Sequence, residues 1–261
     1  MAVAAAPASP TPVSPPASAA PTGSGPANPS GYRVLPLPSV EIKYAVQKID
    51  GSGETPNDNS PRTRGRGSIR WLNQGQQYRL VGEFKFLFFT FFSFQSEGEL
   101  DAQGIAPLLY SEKRGTRSPT NTHFQRQSNL ISFSATTKQY PRSPGAQDWA
   151  SVVWQLAGIG LADSEKFHDQ AELEIVVAGP REATPWRFQV QGLEHLTLDQ
   201  LELDAWHLAR IPLAGSHERR LDIWLSPQHQ FAPARILQTD PNGSQIEMKM
   251  TEFTLLPPTT P

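Results

Sequence analysis

The chain has 261 residues, 38% hydrophobic and 18% charged, with a formal charge of −2 and a pI near 6.3. So balanced a charge offers no electrostatic footprint for nucleic acid. Cysteine is absent, which excludes disulfides, thiolate metal sites, cysteine nucleophiles and a lipid-modified cysteine.

Residues 1–37 are rich in alanine and proline and carry one charged residue, Arg33. Prolines at 7, 10, 12, 15 and 16 forbid a helix, because each removes a donor and clashes with the preceding turn. A basic n-region and an apolar run unbroken by proline are both missing, so this is not a signal peptide. The segment reads as a disordered tail, or as a spacer whose anchor or export signal precedes the recorded start. A single antiparallel β-rich domain is expected over 38–256, followed by a short disordered tail over 257–261.

The domain opens on "SVEIKYAVQKI", where Val40, Ile42, Tyr44 and Val46 alternate with Glu41, Lys43 and Gln47. That is the period of a half-buried strand. "GSGETPNDNSPRTRGRG" reads as a polar loop. Its Arg62, Arg64 and Arg66, set on glycine-rich backbone, are candidates for holding an anionic headgroup or phosphate; the alternative is a solvated loop. Arg114 and Arg117 are open to the same two readings. "SIRWLNQGQQYRLVGEF" predicts two strands joined at Asn73-Gln74-Gly75-Gln76.

"GEFKFLFFTFFSFQSEG" holds seven of the thirteen phenylalanines. Its apolar part, Phe84 to Phe94, is far short of the roughly 20 residues of a bilayer-spanning helix. Lys85 interrupts it, and Glu83, Glu97 and Glu99 flank it; the last two suit gatekeepers against aggregation. The stretch predicts a strand apolar on both faces at its centre, one face covered by core and the other by core or by a ligand.

"GAQDWASVVWQLAGIGLAD" predicts a helix over about 147–158. Trp149, Val152, Val153 and Leu156 fall at i, i+3, i+4 and i+7, Asp148 is placed to accept from a first-turn amide, and Gly158 and Gly160 would end it. The remainder alternates through short strands, with Asp-Pro-Asn-Gly at 240–243 as turn chemistry. The expected fold is α+β, mostly β: a large curved antiparallel sheet, an incomplete barrel of about ten to twelve strands, packed on one helix.

Catalytic motifs are missing: no G-x-S-x-G elbow, P-loop, dinucleotide fingerprint or H-E-x-x-H. His123, His168, His195, His207, His217 and His229 are not at metal-ligand spacing. No metal, no cofactor and no enzymatic activity are expected. The six tryptophans read as core, or as the lining of an apolar cleft between sheet and helix. Candidate ligand contacts are Phe86, Phe88, Phe92, Trp149, Val153, Trp154 and Trp224.

Three stretches carry a resemblance: "SEGELDAQGIAPLLYSEKR" with its Gly104–Pro107 step, "GAQDWASVVWQL" with its Gln147-Asp148 helix entry, and "LDIWLSPQHQFAPARILQTDPNGSQIEM", whose Leu221–Leu225 strand leads into Pro233-Ala234-Arg235. Over about 38–256 the chain resembles a bacterial family of unknown function, numbered 3108 among such domains. The resemblance implies an exported, periplasmic domain of Gram-negative bacteria without assigned activity or catalytic residues. It implies a curved sheet enclosing a helix, similar in outline to lipoprotein carriers of the Lol pathway. The expected function is a non-enzymatic envelope protein that binds a lipid, an acyl chain or another amphipathic ligand. The alternatives are an interaction module tethered to the inner membrane, partnered by an envelope protein, and a hydrolase assembled from His207 or His229 with carboxylates. A cytoplasmic location follows if the recorded start is the true one.

Overall fold

The first strand sets the pattern of the whole. β1 (Val40–Ile49) buries Val40, Ile42, Tyr44 and Val46 and turns Lys43 to solvent, the two-residue period of a sheet with one wet face. The computed structural model describes residues 31–51, 61–212 and 218–257; residues 1–30, most of the loop after β1, His217 and the last four residues lie outside them. Fourteen more strands follow among the described residues: β2 (Arg62–Asn73), β3 (Gln77–Phe86), β4 (Phe89–Asp101), β5 (Gly104–Arg114), β6 (Thr120–Gln125), β7 (Leu130–Phe133), β8 (Thr136–Pro141), β9 (Gln147–Asp148), β10 (Glu172–Ala178), β11 (Ala183–Leu198), β12 (Leu201–Arg210), β13 (Arg220–Ser226), β14 (Ala232–Thr239) and β15 (Gln245–Leu255).

All lie in one sheet, ordered β8-β7-β6-β5-β4-β3-β2-β1-β15-β14-β13-β12-β11-β10-β9. Every pairing is antiparallel except the short β9 on β10. The sheet curls until strands near its two edges touch. Phe124, Ile131 and Phe133 of β6–β7 meet Ala178 and Ala183 of β10–β11 in a small apolar cluster, and Thr122 Oγ1 donates to the Gly179 carbonyl at 2.8 Å. No backbone ladder joins the edges, so the barrel is incomplete, as the sequence implies.

The helix α1 (Ser151–Ala162) fills the hollow. It starts later than the spacing predicts, because Gln147 and Asp148 extend as β9 and Trp149 and Ala150 form a turn. Every residue from Ser151 to Gly160 is buried; the helix is surrounded rather than amphipathic. Gly158 and Gly160 do not end it. A Cβ on Gly158 would sit 2.6 Å from Val34 Cγ1, and one on Gly160 2.5 Å from the Phe231 ring, so both glycines serve close approach.

The segment 31–37, assigned by composition to the tail, is part of the fold. Leu35 N–H donates to the Gly158 carbonyl at 2.9 Å, and Trp71 Nε1 and Asn73 Nδ2 both donate to the Leu37 carbonyl at 3.0 Å.

Two local readings are corrected. The phenylalanine stretch is a hairpin, not one strand: Phe86 pairs with Phe89 and Phe84 with Phe92, and Leu87-Phe88 turn the chain. The turn has no Gly, Pro, Asn or Asp to announce it; Leu87 supplies it at φ +53°, a conformation that costs an L-residue about 1–2 kcal/mol. The arginine-rich loop is the start of β2, with Ile49↔Arg62, Gln47↔Arg64 and Ala45↔Arg66 in register. Its alternation Arg64-Gly65-Arg66-Gly67 is itself a strand period, arginines outward and glycines inward. The inward glycines are covered by neighbouring rings: a Cβ on Gly67 would meet Phe84 Cδ1 at 2.2 Å, and one on Gly65 would meet Phe86 Cδ1 at 2.5 Å.

Candidate ligand-binding site

Between the inner face of the sheet and α1 lies a cavity of about 230 Å³. Its aromatic wall comes from the β3–β4 hairpin: Phe84, Phe91, Phe92 and Phe94. Phe84 packs on the other three at centroid distances of 6.0–6.4 Å. Phe91 and Phe92 both reach the cavity because the register shifts after Phe84↔Phe92, leaving Phe91 without a partner in the ladder. A bulge of this kind re-aims side chains that simple alternation would send to opposite faces. The facing wall is Trp149, Val153 and Trp154, and the floor is Ile236, Ile246 and Met248.

Helix and sheet are locked beside this wall by a stack. Trp154 lies on Trp71 at 5.2 Å and 9°, and Trp71 on Tyr78 at 5.1 Å and 20°. A second lock holds Trp149. The buried Asp148 carboxylate accepts from the amides of Ala150 and Ser151 at 2.8 Å, and Asp148 N–H donates to Ser151 Oγ at 2.9 Å. The residue thus caps the helix from three positions ahead of its first residue. Ser96 Oγ donates to the same carboxylate and lies 2.7 Å from Tyr78 Oη. Burial pushes the Asp148 carboxyl up to about 6, against the pull of its hydrogen bonds.

At Trp149 the apolar cavity adjoins two others that are more polar, of about 260 and 360 Å³. Arginines border them. The Arg114 guanidinium lies 4.9 Å from the Phe92 ring centre and donates to Glu112 Oε1 at 2.9 Å. Arg219 lies 5.5 Å from the Trp149 ring centre and pairs with Asp240 at 3.0 Å. Arg210 lies 4.0 Å over Trp186 and pairs with Glu218 at 2.9 Å. Arg210 Nε and Arg219 Nη1 are buried without a hydrogen-bond partner among the described residues, an arrangement that costs free energy until an acceptor arrives. Burial lowers the proton affinity of Arg210, and Glu218 works against that. Glu182 also borders both polar cavities.

Of the residues proposed from sequence, Phe92, Trp149, Val153 and Trp154 come together here. Phe86 does not line the cavity; it stacks on Phe91 at 4.1 Å. Phe88 is 97% exposed at the hairpin turn. Trp224 is on the other face of β13, because Leu221 takes the inward parity: its Nε1 donates to Glu194 at 2.7 Å and its ring stacks on His207 at 4.2 Å. Arg62, Arg64 and Arg66 are exposed on the outer face of β2, away from the cavity.

The histidine–carboxylate cluster does exist. His207 Nδ1 is 2.7 Å from Glu194 and Nε2 is 2.9 Å from Asp222, and Arg220 clamps Asp222 at 2.7 and 2.8 Å. Burial raises the Asp222 carboxyl, but His207 and Arg220 outweigh it and hold it below its ordinary value. Both ring nitrogens of His207 are engaged, which leaves none to meet a substrate. Among the described residues no three His, Asp or Glu side chains are grouped to hold a metal ion.

A beta-barrel-like protein of the DUF1849 domain of unknown function from Brucella abortus has a TM-score of 0.57 at 10% identity, covering 87% of this chain and all of its own. That likeness speaks for the fold alone. A DUF1329 family protein from Desulfovibrio piger ATCC 29098 has a TM-score of 0.28 at 12% identity, over 84% of this chain and 86% of its own, too low to carry an argument. No curated protein matches the chain, and no helix among the described residues is long and apolar enough to cross a membrane. The model of the family described as protein of unknown function DUF3108 matches residues 61–251, and the chain belongs to that family.

Proposed function

We propose that the protein is a non-enzymatic binder of a single-chain amphiphile, its acyl tail held against the phenylalanine wall and its polar head among the arginines beyond Trp149. One observation carries this reading: the apolar cavity shares Trp149 with neighbouring cavities bordered by guanidinium groups, two of them with an N–H unpartnered among the described residues. The volume of about 230 Å³ exceeds the roughly 150 Å³ of an apolar cavity that stays dry and takes up benzene. It suits part of one acyl chain rather than both chains of a phospholipid. The engaged nitrogens of His207 favour a binder over a hydrolase.

The place of action in this reading is the periplasm. The Ala/Pro-rich segment ahead of the domain suits a spacer between the domain and the envelope. Fractionation of cells making the full-length gene product tests it; recovery with the cytoplasm overturns it. For the ligand, native mass spectrometry of the purified protein should find a bound lipid-sized mass, and a fluorescent fatty acid should be displaced by unlabelled oleate. Val153→Trp, which fills the cavity from the helix side, should abolish the displacement. Equal probe binding by wild type and Val153→Trp would sink the proposal.

A further inference from the structure

The β3–β4 hairpin ends in three consecutive apolar residues that little else covers: Leu87 is 81%, Phe88 97% and Phe89 53% exposed. Such a run on a surface invites aggregation unless it has a use. The tip is held out rather than collapsed. Leu87 has φ +53°, and directly below it Phe86 stacks flat on Phe91 at 4.1 Å and 12°.

The antiparallel order fixes what shares its rim. The turns after β3, β10 and β14 close strands on one rim, and the turns after β2, β4 and β11 on the other. Leu87 and Phe88 therefore stand on the rim where β5 ends at Arg114 and β12 at Arg210, the rim of the arginine-bordered cavities.

Cations surround the tip on both sides. Arg66 is paired with Lys85 in the β2–β3 ladder, with Arg62 and Arg64 ahead of it on the exposed face. Lys113 and Arg114 end β5, and Arg117 follows. The carboxylates on these stretches are already engaged, Glu83 by Lys85 at 2.7 Å and Glu112 by Arg114 at 2.9 Å. Arg64, Arg66, Lys113 and Arg117 have no ion-pair partner among the described residues. A chain of net charge −2 thus gathers uncompensated cations around its most exposed apolar residues.

We propose that the hairpin tip is a docking element for an anionic lipid bilayer, with Leu87 and Phe88 inserted at the headgroup level and the flanking arginines and lysines on lipid phosphates. Apolar insertion and attraction to anionic headgroups are the two contributions that hold a protein at a membrane surface. A groove on a protein partner would also take the apolar tip. It would not call for cations spread over β2 and β5 on either side of it, whereas a broad anionic surface does. The proposal rests on the tip and stands whatever the cavity binds.

The test uses the full chain and vesicles of phosphatidylglycerol with phosphatidylcholine, or of phosphatidylcholine alone. Sedimentation should show binding at least about tenfold stronger to the anionic vesicles, weakening as salt is raised. Because the chain has no cysteine, Phe88→Cys gives a single site for an environment-sensitive fluorophore. Its emission should shift to the blue on anionic vesicles, while a label at Gln200→Cys on the opposite rim stays unchanged. Leu87→Ser with Phe88→Ser should remove binding without lowering the melting temperature. No binding to anionic vesicles, binding that leaves the Phe88→Cys label unchanged, or binding that survives the serine pair each overturns the proposal.

Discussion

The indole of Trp154 lies flat on that of Trp71, 5.2 Å away and 9° from parallel, so a stack that joins α1 to β2 also backs the apolar cavity that Trp154 lines. Both rings are at most 1% exposed. Trp71→Ala should therefore cost about 3–5 kcal/mol, the usual price of truncating a buried tryptophan. Urea unfolding followed by fluorescence measures it. Near-ultraviolet circular dichroism should lose the signal of the coupled indoles.

Asp148 gives a pH dependence of definite sign. Its carboxyl ordinarily titrates at 3.8 and does so at about 6 in the fold. Between those values the folded state holds the proton more tightly than the unfolded state does, so stability falls as pH rises from about 4 to about 6. The loss attributable to this group is about 3 kcal/mol at 1.36 kcal/mol per unit. Asp148→Asn keeps an oxygen for the amides of Ala150 and Ser151 and presents an amide N–H that donates to Ser96 Oγ, reversing the bond that Ser96 donates in the wild type. The variant should be more stable than the wild type above pH 6 and should show less decline across the window. Asp222, held below its ordinary value, acts with opposite sign at lower pH in both proteins, so the difference between them isolates Asp148. Chemical denaturation at pH 4.5 and 7.5 is the measurement.

Much of this fold is written in short-range pattern. Alternation at Val40–Val46 gives β1, and "DPNG" gives the β14–β15 turn, where Gly243 has φ +81°. The misread places share a cause: a local signal was absent or belonged to another level of structure. Leu87-Phe88 turn without turn residues, because the pairing of flanking phenylalanines on either side fixes the hairpin. Gly158 and Gly160 look like stop signals, yet the need was room for Val34 and Phe231. The cavity was half legible. Helix spacing points to Trp149 and Val153, the scattered tryptophans to Trp154, and aromatic density to Phe92. Arg210, Arg219 and Met248 join them only through the long-range order of the sheet, which no local window contains.

The arginines beyond Trp149 should act on the head of the ligand and not on its tail. Arg219→Gln and Arg210→Gln should weaken binding of a fatty acid by about tenfold, near 1.4 kcal/mol, and leave the alcohol of equal chain length little changed. Isothermal titration with the two ligands separates the terms. Equal loss for both ligands would mean that the arginines only shape the cavity. The alcohol is the control for both, since Arg210 also braces Trp186 and Glu218 and Arg219 braces Trp149 and Asp240.

Gly67 couples β2 to the cavity through the Phe84 ring. A Cβ there would lie 2.2 Å from Phe84 Cδ1 and 2.6 Å from Phe84 Cε1. The two nearest atoms belong to a side chain and the Glu83 carbonyl oxygen follows at 3.1 Å, so Gly67→Ala is accommodated chiefly by moving the Phe84 ring, with a few tenths of an ångström from the backbone. Phe84 is 2% exposed and packs on Phe91, Phe92 and Phe94, so the displaced ring is driven toward the cavity. Overpacking of this kind costs about 1–3 kcal/mol. The variant should lose both stability and affinity for the acyl probe. Gly67→Ala combined with Phe84→Leu removes the clash, and affinity should recover further than stability, because leucine restores room in the cavity but not the aromatic cluster. Thermal melting and probe titration on the same three proteins decide it; a Gly67→Ala variant with full affinity would show that Phe84 is not a wall of the binding site.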